Sequence, residues 1–143
     1  MGKKRIVKTG ETAESDSKVA QVSAVSKKKV DSGMLFIQST YNNTKLVLTD
    51  SKGNVLATSS SGTIGFKGAK KGTPFAAAKV GEVLGGKASA MGMREVAVVV
   101  KGVGSGRESG IRGFISKGIN VTSIKDVTSV PHNGPKPKKP RRV

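Results

Sequence analysis

The chain has 143 residues, room for one domain of modest size with a tail or two, and its 26 Lys and Arg against 9 Asp and Glu leave a formal charge of +17. Such an excess seeks a polyanion, while the absence of Cys and the single His132 remove disulfides, thiolate nucleophiles and two-histidine metal motifs. No apolar run approaches the roughly 20 residues of a membrane span, and MGKKRIVKTG lacks the apolar stretch of a secretory signal, so a soluble cytoplasmic protein with no membrane partner is expected.

Residues 1–32 carry 8 basic and 4 acidic side chains, no aromatic and no sustained periodicity, which predicts a flexible basic N-terminal arm. Residues 33–127 hold nearly all the bulky apolar side chains and make the single α/β domain. Within them, MLFIQST (Met34 to Thr40) reads as a strand and Tyr41-Asn42-Asn43 as a turn. TKLVLTD (Thr44 to Asp50) and VLATSSS (Val55 to Ser61) follow as strands, joined by Asp50-Ser51-Lys52-Gly53-Asn54. Links this short imply antiparallel neighbours.

A Gly- and Lys-rich loop (Gly62 to Thr73) leads to Pro74, which suits the first position of a helix running to Met91. Val80, Val83, Leu84 and Ala88 share one face of that helix. Gly81, Gly85 and Gly86 would each cost about 1 kcal/mol against Ala there, so they are expected where backbone packs closely on the sheet or on a partner, or where the helix is frayed. EVAVVVK (Glu95 to Lys101) is almost continuously apolar, which predicts a central strand covered on both faces. A helix over Arg107 to Lys117 and a strand over Ile119 to Val127 complete the order βββαβαβ, a mixed sheet with helices packed on it. Residues 128–143, with Pro131, Pro135, Pro137 and Pro140, read as an extended basic C-terminal tail.

Catalytic motifs fail on inspection. Gly81-x4-Gly86-Lys87 begins like a phosphate loop, but Ala88 stands where a Ser or Thr must hold magnesium, and the segment is helical. Gly102-x-Gly104-x-Gly106 has its third Gly one residue too early for a dinucleotide fingerprint. A metal-dependent nuclease would need Asp50, Glu95 and Asp126 to converge, and no spacing forces that. No catalytic residue, metal site, cofactor or small-molecule substrate is expected.

Binding segments are more persuasive. Gly65 to Thr73 sets Lys67, Lys70 and Lys71 among glycines, where backbone N–H groups can approach phosphates and Phe66 can either stack on a base or tuck beneath the loop. Lys101 to Arg112 delivers a Gly-rich turn into a helix N-terminus, with Arg107 and Arg112 able to fork onto phosphates and Ser105 placed to cap the helix. In the tail, Lys136, Lys138, Lys139, Arg141 and Arg142 project from an extended backbone. With no helix-turn-helix, zinc finger or long basic helix in view, a folded RNA fits better than duplex DNA.

The segments STYNNT (Ser39 to Thr44), LTDSKGNVL (Leu48 to Leu56), GFKGAKKGTPFAA (Gly65 to Ala77), VKGVGSGRES (Val100 to Ser109), IKDVTSVPHNG (Ile124 to Gly134) and the basic ending PKKPRRV closely resemble the family of small-subunit ribosomal protein eleven, in its bacterial form. They run in the family's order over about 110 residues, with Val103 and Ser105 where the family usually has prolines and with Pro135 and Pro140 altering its tail. The resemblance implies a ribonuclease-H-like α/β/α sheet without a nuclease site. It implies a structural constituent of the small ribosomal subunit that binds 16S rRNA on the platform, bridging RNA helices near the Shine–Dalgarno cleft and the exit-site tRNA. Small-subunit ribosomal proteins seven and eighteen are the implied neighbours, with initiation factor three and mRNA as transient partners. Matched by motif, the RNA contacts fall on Asn42, Asn43, Lys67, Lys70, Lys71, Arg107, His132, Asn133 and the terminal Lys/Arg run. A nucleic-acid-directed hydrolase and a nucleic-acid chaperone acting by charge alone are the competing readings.

Overall fold

Side chains along the first strands alternate between buried and outward positions, which sets the sheet, and a computed structural model describes it over residues 29–142. The expected N-terminal arm and the final Val143 lie mainly outside those residues. The described chain runs β1 (Ser32–Ser39), β2 (Thr44–Asp50), β3 (Val55–Ser60), α1 (Ser61–Ile64), a 3-10 turn (Gly68–Gly72), α2 (Pro74–Ala90), β4 (Glu95–Lys101), α3 (Gly106–Ile115) and β5 (Asn120–Asp126). The strands lie in the order β3-β2-β1-β4-β5. β1 to β3 form an antiparallel meander, whereas β4 and β5 add in parallel. The two helical crossovers supply the length that parallel pairing requires.

Local chemistry explains the punctuation. The Asp50 carboxylate accepts from the N–H of Lys52 at 2.8 Å, the N–H of Asn54 at 2.9 Å and Asn54 Nδ2 at 2.9 Å, closing the β2–β3 turn. Those donors, the Asn54 side chain first, hold its carboxyl below the usual aspartate range. α2 starts where Thr73 Oγ1 accepts from the Ala76 N–H and Pro74 takes the first helical turn. Upstream of the sheet, Val30 packs against the core and the Asp31 carbonyl accepts from the N–H groups of Arg94 and Glu95.

One face of the sheet carries the core. Leu35 and Ile37 of β1 stand opposite Leu48 and Leu46 of β2 and beside Val98 and Val100 of β4, all buried. Val80, Leu84 and Ala88 of α2 and Phe114 of α3 close over them. The two helices meet through missing side chains. A Cβ at Gly81 would lie 2.4 Å from the Gly110 carbonyl oxygen, and one at Gly113 would lie 2.3 Å from that of Ala78. Gly85 is similarly close to Phe114, whereas Gly86 faces open space.

This arrangement corrects two expectations. The described residues form two layers rather than α/β/α, because α2 and α3 pack on each other and share one face of the sheet. Among the described residues β4 is therefore covered by helices on one face only. Ala97 and Val99 lie half-buried on the side that none of the described helices reaches, and β1 takes the central position.

Candidate nucleic-acid interface

Three segments meet at the end of the sheet where β1 and β4 finish. The Tyr41–Asn43 turn, the Lys-rich loop before α2 and the Gly-rich loop before α3 touch backbone to backbone. A Cβ on Gly72 would fall 2.1 Å from the Tyr41 carbonyl oxygen, one on Gly102 2.0 Å from that of Ser39, and one on Gly104 2.3 Å from that of Thr40. Glycine at these positions is what allows three loops to share one small area.

Hydrogen bonds then lock the segments in register. Buried Ser61 accepts from the Thr44 N–H at 3.3 Å, reaches the Lys71 carbonyl at 2.8 Å and lies against the Asn43 side-chain amide. A hydroxyl has one proton, so an Asn43 amide turned to donate through Nδ2 satisfies all three contacts at once. Thr40 and Asn43 close their own turn, the Thr40 N–H donating to the Asn43 carbonyl at 2.9 Å. The sequence places Ser105 to cap α3. Instead its hydroxyl donates to the Gly72 carbonyl at 3.0 Å, and no side chain caps that helix. The same hydroxyl chemistry ties loop to loop rather than loop to helix.

Arg107 has an unexpected place. Its guanidinium donates to the Gly102 carbonyl, to Thr128 Oγ1 at 3.2 Å and to the Asp126 carboxylate, clasping the end of β5 against the Gly-rich loop. Thr128 adds a hydroxyl bond to Asp126 at 2.6 Å and accepts from the Gly102 N–H at 3.2 Å. The Thr128 hydroxyl foremost, and then the Arg107 guanidinium, hold the Asp126 carboxyl well below the usual range. Arg107 thus serves the root of the tail. Arg112, by contrast, is exposed on α3, with Glu108 3.5 Å away and one turn upstream.

The structure gathers Asn42, Asn43, Lys70 and Lys71 at this end of the sheet, with Lys67 at the start of the same loop and Arg107 beneath the tail. His132, Asn133, Lys136, Lys138, Lys139, Arg141 and Arg142 are exposed along a segment with no helix or strand, where Asn133 turns the backbone at φ 54°. The described residues of the tail carry no acid to neutralise it.

Two aromatic rings escaped the sequence reading. Tyr41 is 78% exposed at the convergence of the loops, beside a cleft of about 240 Å³ bordered by Val103 and Thr128. A lone Tyr in a turn, with no apolar neighbours to bury it, was the available signal. Phe66 is half-buried edge-on to Phe75 with ring centroids 6.0 Å apart, so Phe75, 64% exposed, presents the open ring. Lys79 Nζ sits 5.8 Å from the Phe75 centroid, leaving a cation beside that face.

The carboxylates do not converge. Glu95 opens β4, while Asp126 pairs with Val100 near its other end, about 17 Å away at strand rise. Asp50 is occupied by its own turn.

Residues 33–142 match the family described as ribosomal protein S11. The chain belongs to the ribosomal protein S11 family. The match spans more than three quarters of the sequence and takes in all three converging loops, the Arg107 clasp and the tail through Arg142. Membership makes this chain a structural protein of the small ribosomal subunit, acting in translation. The S11 match begins at Gly33, so residues 1–32 stand apart from it.

Proposed function

We propose that this chain binds 16S rRNA on the platform of the small subunit, holding RNA helices together through the loop end of its sheet and its tail, without catalysis. The observation that carries the reading is the glycine-mediated convergence of the Asn42–Asn43 turn and the Lys-rich loop beside the root of a basic, proline-stiffened tail. Such a surface offers backbone N–H groups, amides and cations at fixed spacing, which suits phosphates arranged by a folded RNA. A place near the Shine–Dalgarno cleft and the exit-site tRNA accompanies the reading. So do ribosomal proteins seven and eighteen as neighbours, initiation factor three and mRNA as transient contacts, and the cytoplasm as compartment.

A salt-titrated binding assay tests it, comparing a platform fragment of 16S rRNA with a length-matched scrambled RNA. Tighter binding to the platform fragment that persists as salt rises supports shape recognition. Equal affinities with equal salt slopes would instead favour the chaperone reading.

A further inference from the structure

Opposite the helices, the sheet leaves a face uncovered among the described residues. At its centre Val47, Phe36 and Val99 stand side by side on β2, β1 and β4, and Phe36 is 37% exposed. Val127, 41% exposed, extends this apolar strip towards β5. Around it lie three exposed lysines: Lys45 opposite Gln38, Lys101 beside Gln38, and Lys125 beside Val99. None of the three makes a salt bridge among the described residues, whose ion pairs are Lys79–Glu82, Arg107–Asp126 and Arg112–Glu108.

An aliphatic centre inside a cationic rim discriminates between partners. Its backbone N–H groups are spent on the sheet ladders, so phosphates would find no amide cradle there. Valine offers a base neither ring nor charge, and Phe36 is the one aromatic in the strip. An apolar middle with a polar border is the anatomy of a protein interface, and the sign of the border selects an acidic complement.

We infer that the helix-free face formed by Phe36, Val47 and Val99 and bordered by Lys45, Lys101 and Lys125 docks a protein segment whose apolar residues are flanked by Asp or Glu. The inference rests on the small-subunit reading, since the partner would be met there, and it separates two surfaces: RNA at the loop end, protein on the open face.

The test is site-specific photocrosslinking in assembled small subunits. One full-length variant carries p-benzoylphenylalanine in place of Phe36. A second is Lys125→Cys labelled with a benzophenone maleimide, a unique attachment point because the chain has no Cys. A third places p-benzoylphenylalanine at Tyr41 as the loop-end comparison. Crosslinks from positions 36 and 125 to one acid-rich protein segment, with position 41 reaching RNA, would support the inference. Addition of Lys45→Glu should then lower the yield at position 125 severalfold while subunit incorporation persists. Crosslinks from positions 36 and 125 to rRNA, to a basic protein segment, or to nothing in assembled subunits would overturn it. Failure of even the unmodified chain to enter small subunits would instead strike the ribosomal reading.

Discussion

Gly72 lies so close to Tyr41 that a methyl group on its α-carbon would sit 2.1 Å from the Tyr41 carbonyl oxygen. That approach fastens the Lys-rich loop to the first turn of the sheet, and no flexible side chain stands between them to yield. Gly72→Ala should therefore push the loop away, destabilise the protein by about 1–3 kcal/mol and weaken binding to the platform RNA fragment. Chemical denaturation and the salt-titrated assay measure the two effects. Unchanged stability would mean the loop can slide without cost.

The glycines of α2 make opposite predictions within one helix. Gly81→Ala must clash with the α3 backbone at Gly110 and Phe114, so unfolding should shift to lower denaturant by an amount equivalent to about 1–3 kcal/mol. Gly86→Ala meets nothing within 4 Å and should raise stability by up to about 1 kcal/mol through better helix propensity. Equal shifts of one sign would show that α2 does not approach α3 through Gly81.

Replacing Lys67, Lys70 and Lys71 together by Ala should leave up to three phosphates without their cation. The log–log salt dependence of RNA binding should become shallower by roughly 0.7–0.9 for each phosphate no longer neutralised. An unaltered slope would place the loop in solvent.

Asp126 titrates in the clasp at the root of the tail. Its folded pKa is depressed, so the stability it contributes is present above the ordinary aspartate value of about 4 and is lost as pH falls through the lower folded value. Asp126→Asn should accordingly reduce stability at neutral pH and flatten the acid limb of a stability–pH curve. Thermal melts between pH 2 and 7, about the range that brackets the ordinary carboxylate transition, would show it. A curve parallel to that of the unaltered chain would mean that the clasp does not couple to folding.

Removal of residues 136–143 should leave the melting temperature of the body unchanged, because the described residues there are exposed and none joins the core. RNA affinity and incorporation into subunits should fall. A large loss of thermal stability would reveal a docked tail.

Elements with local causes were legible in the sequence. β2 and β4 fall at the predicted residues, and Pro74 announced the start of α2 because proline acts within one turn; the Thr73 cap beside it emerged from the structure. The side of the sheet that each helix takes was not legible: the apolar stripe of α2 says that one face is buried, not against which layer. EVAVVVK illustrates this. Its continuous apolar run looks like a doubly covered strand, yet Ala97 and Val99 point to the open face. The basic loops could be picked out singly, but their meeting depends on residues far apart in sequence, such as Gly72 with Tyr41 and Ser105 with Gly72. Arg107 shows the same blind spot, since nothing near it in the chain foretells Asp126 and Thr128 as its partners.

The clasp at Thr128 gives the tail a fixed origin. From there, residues 129–142 in extended, proline-rich form can reach about 40 Å, more than a 20-residue helix spans. Under the proposed rRNA-binding reading, a tail held there would search only a small volume around that origin once the body is seated, at an effective concentration on the order of millimolar for nearby phosphates. On that reading, a charge run that would wander among polyanions as a free peptide would become, on this anchor, a local ligand whose choice of partner is inherited from the domain that carries it.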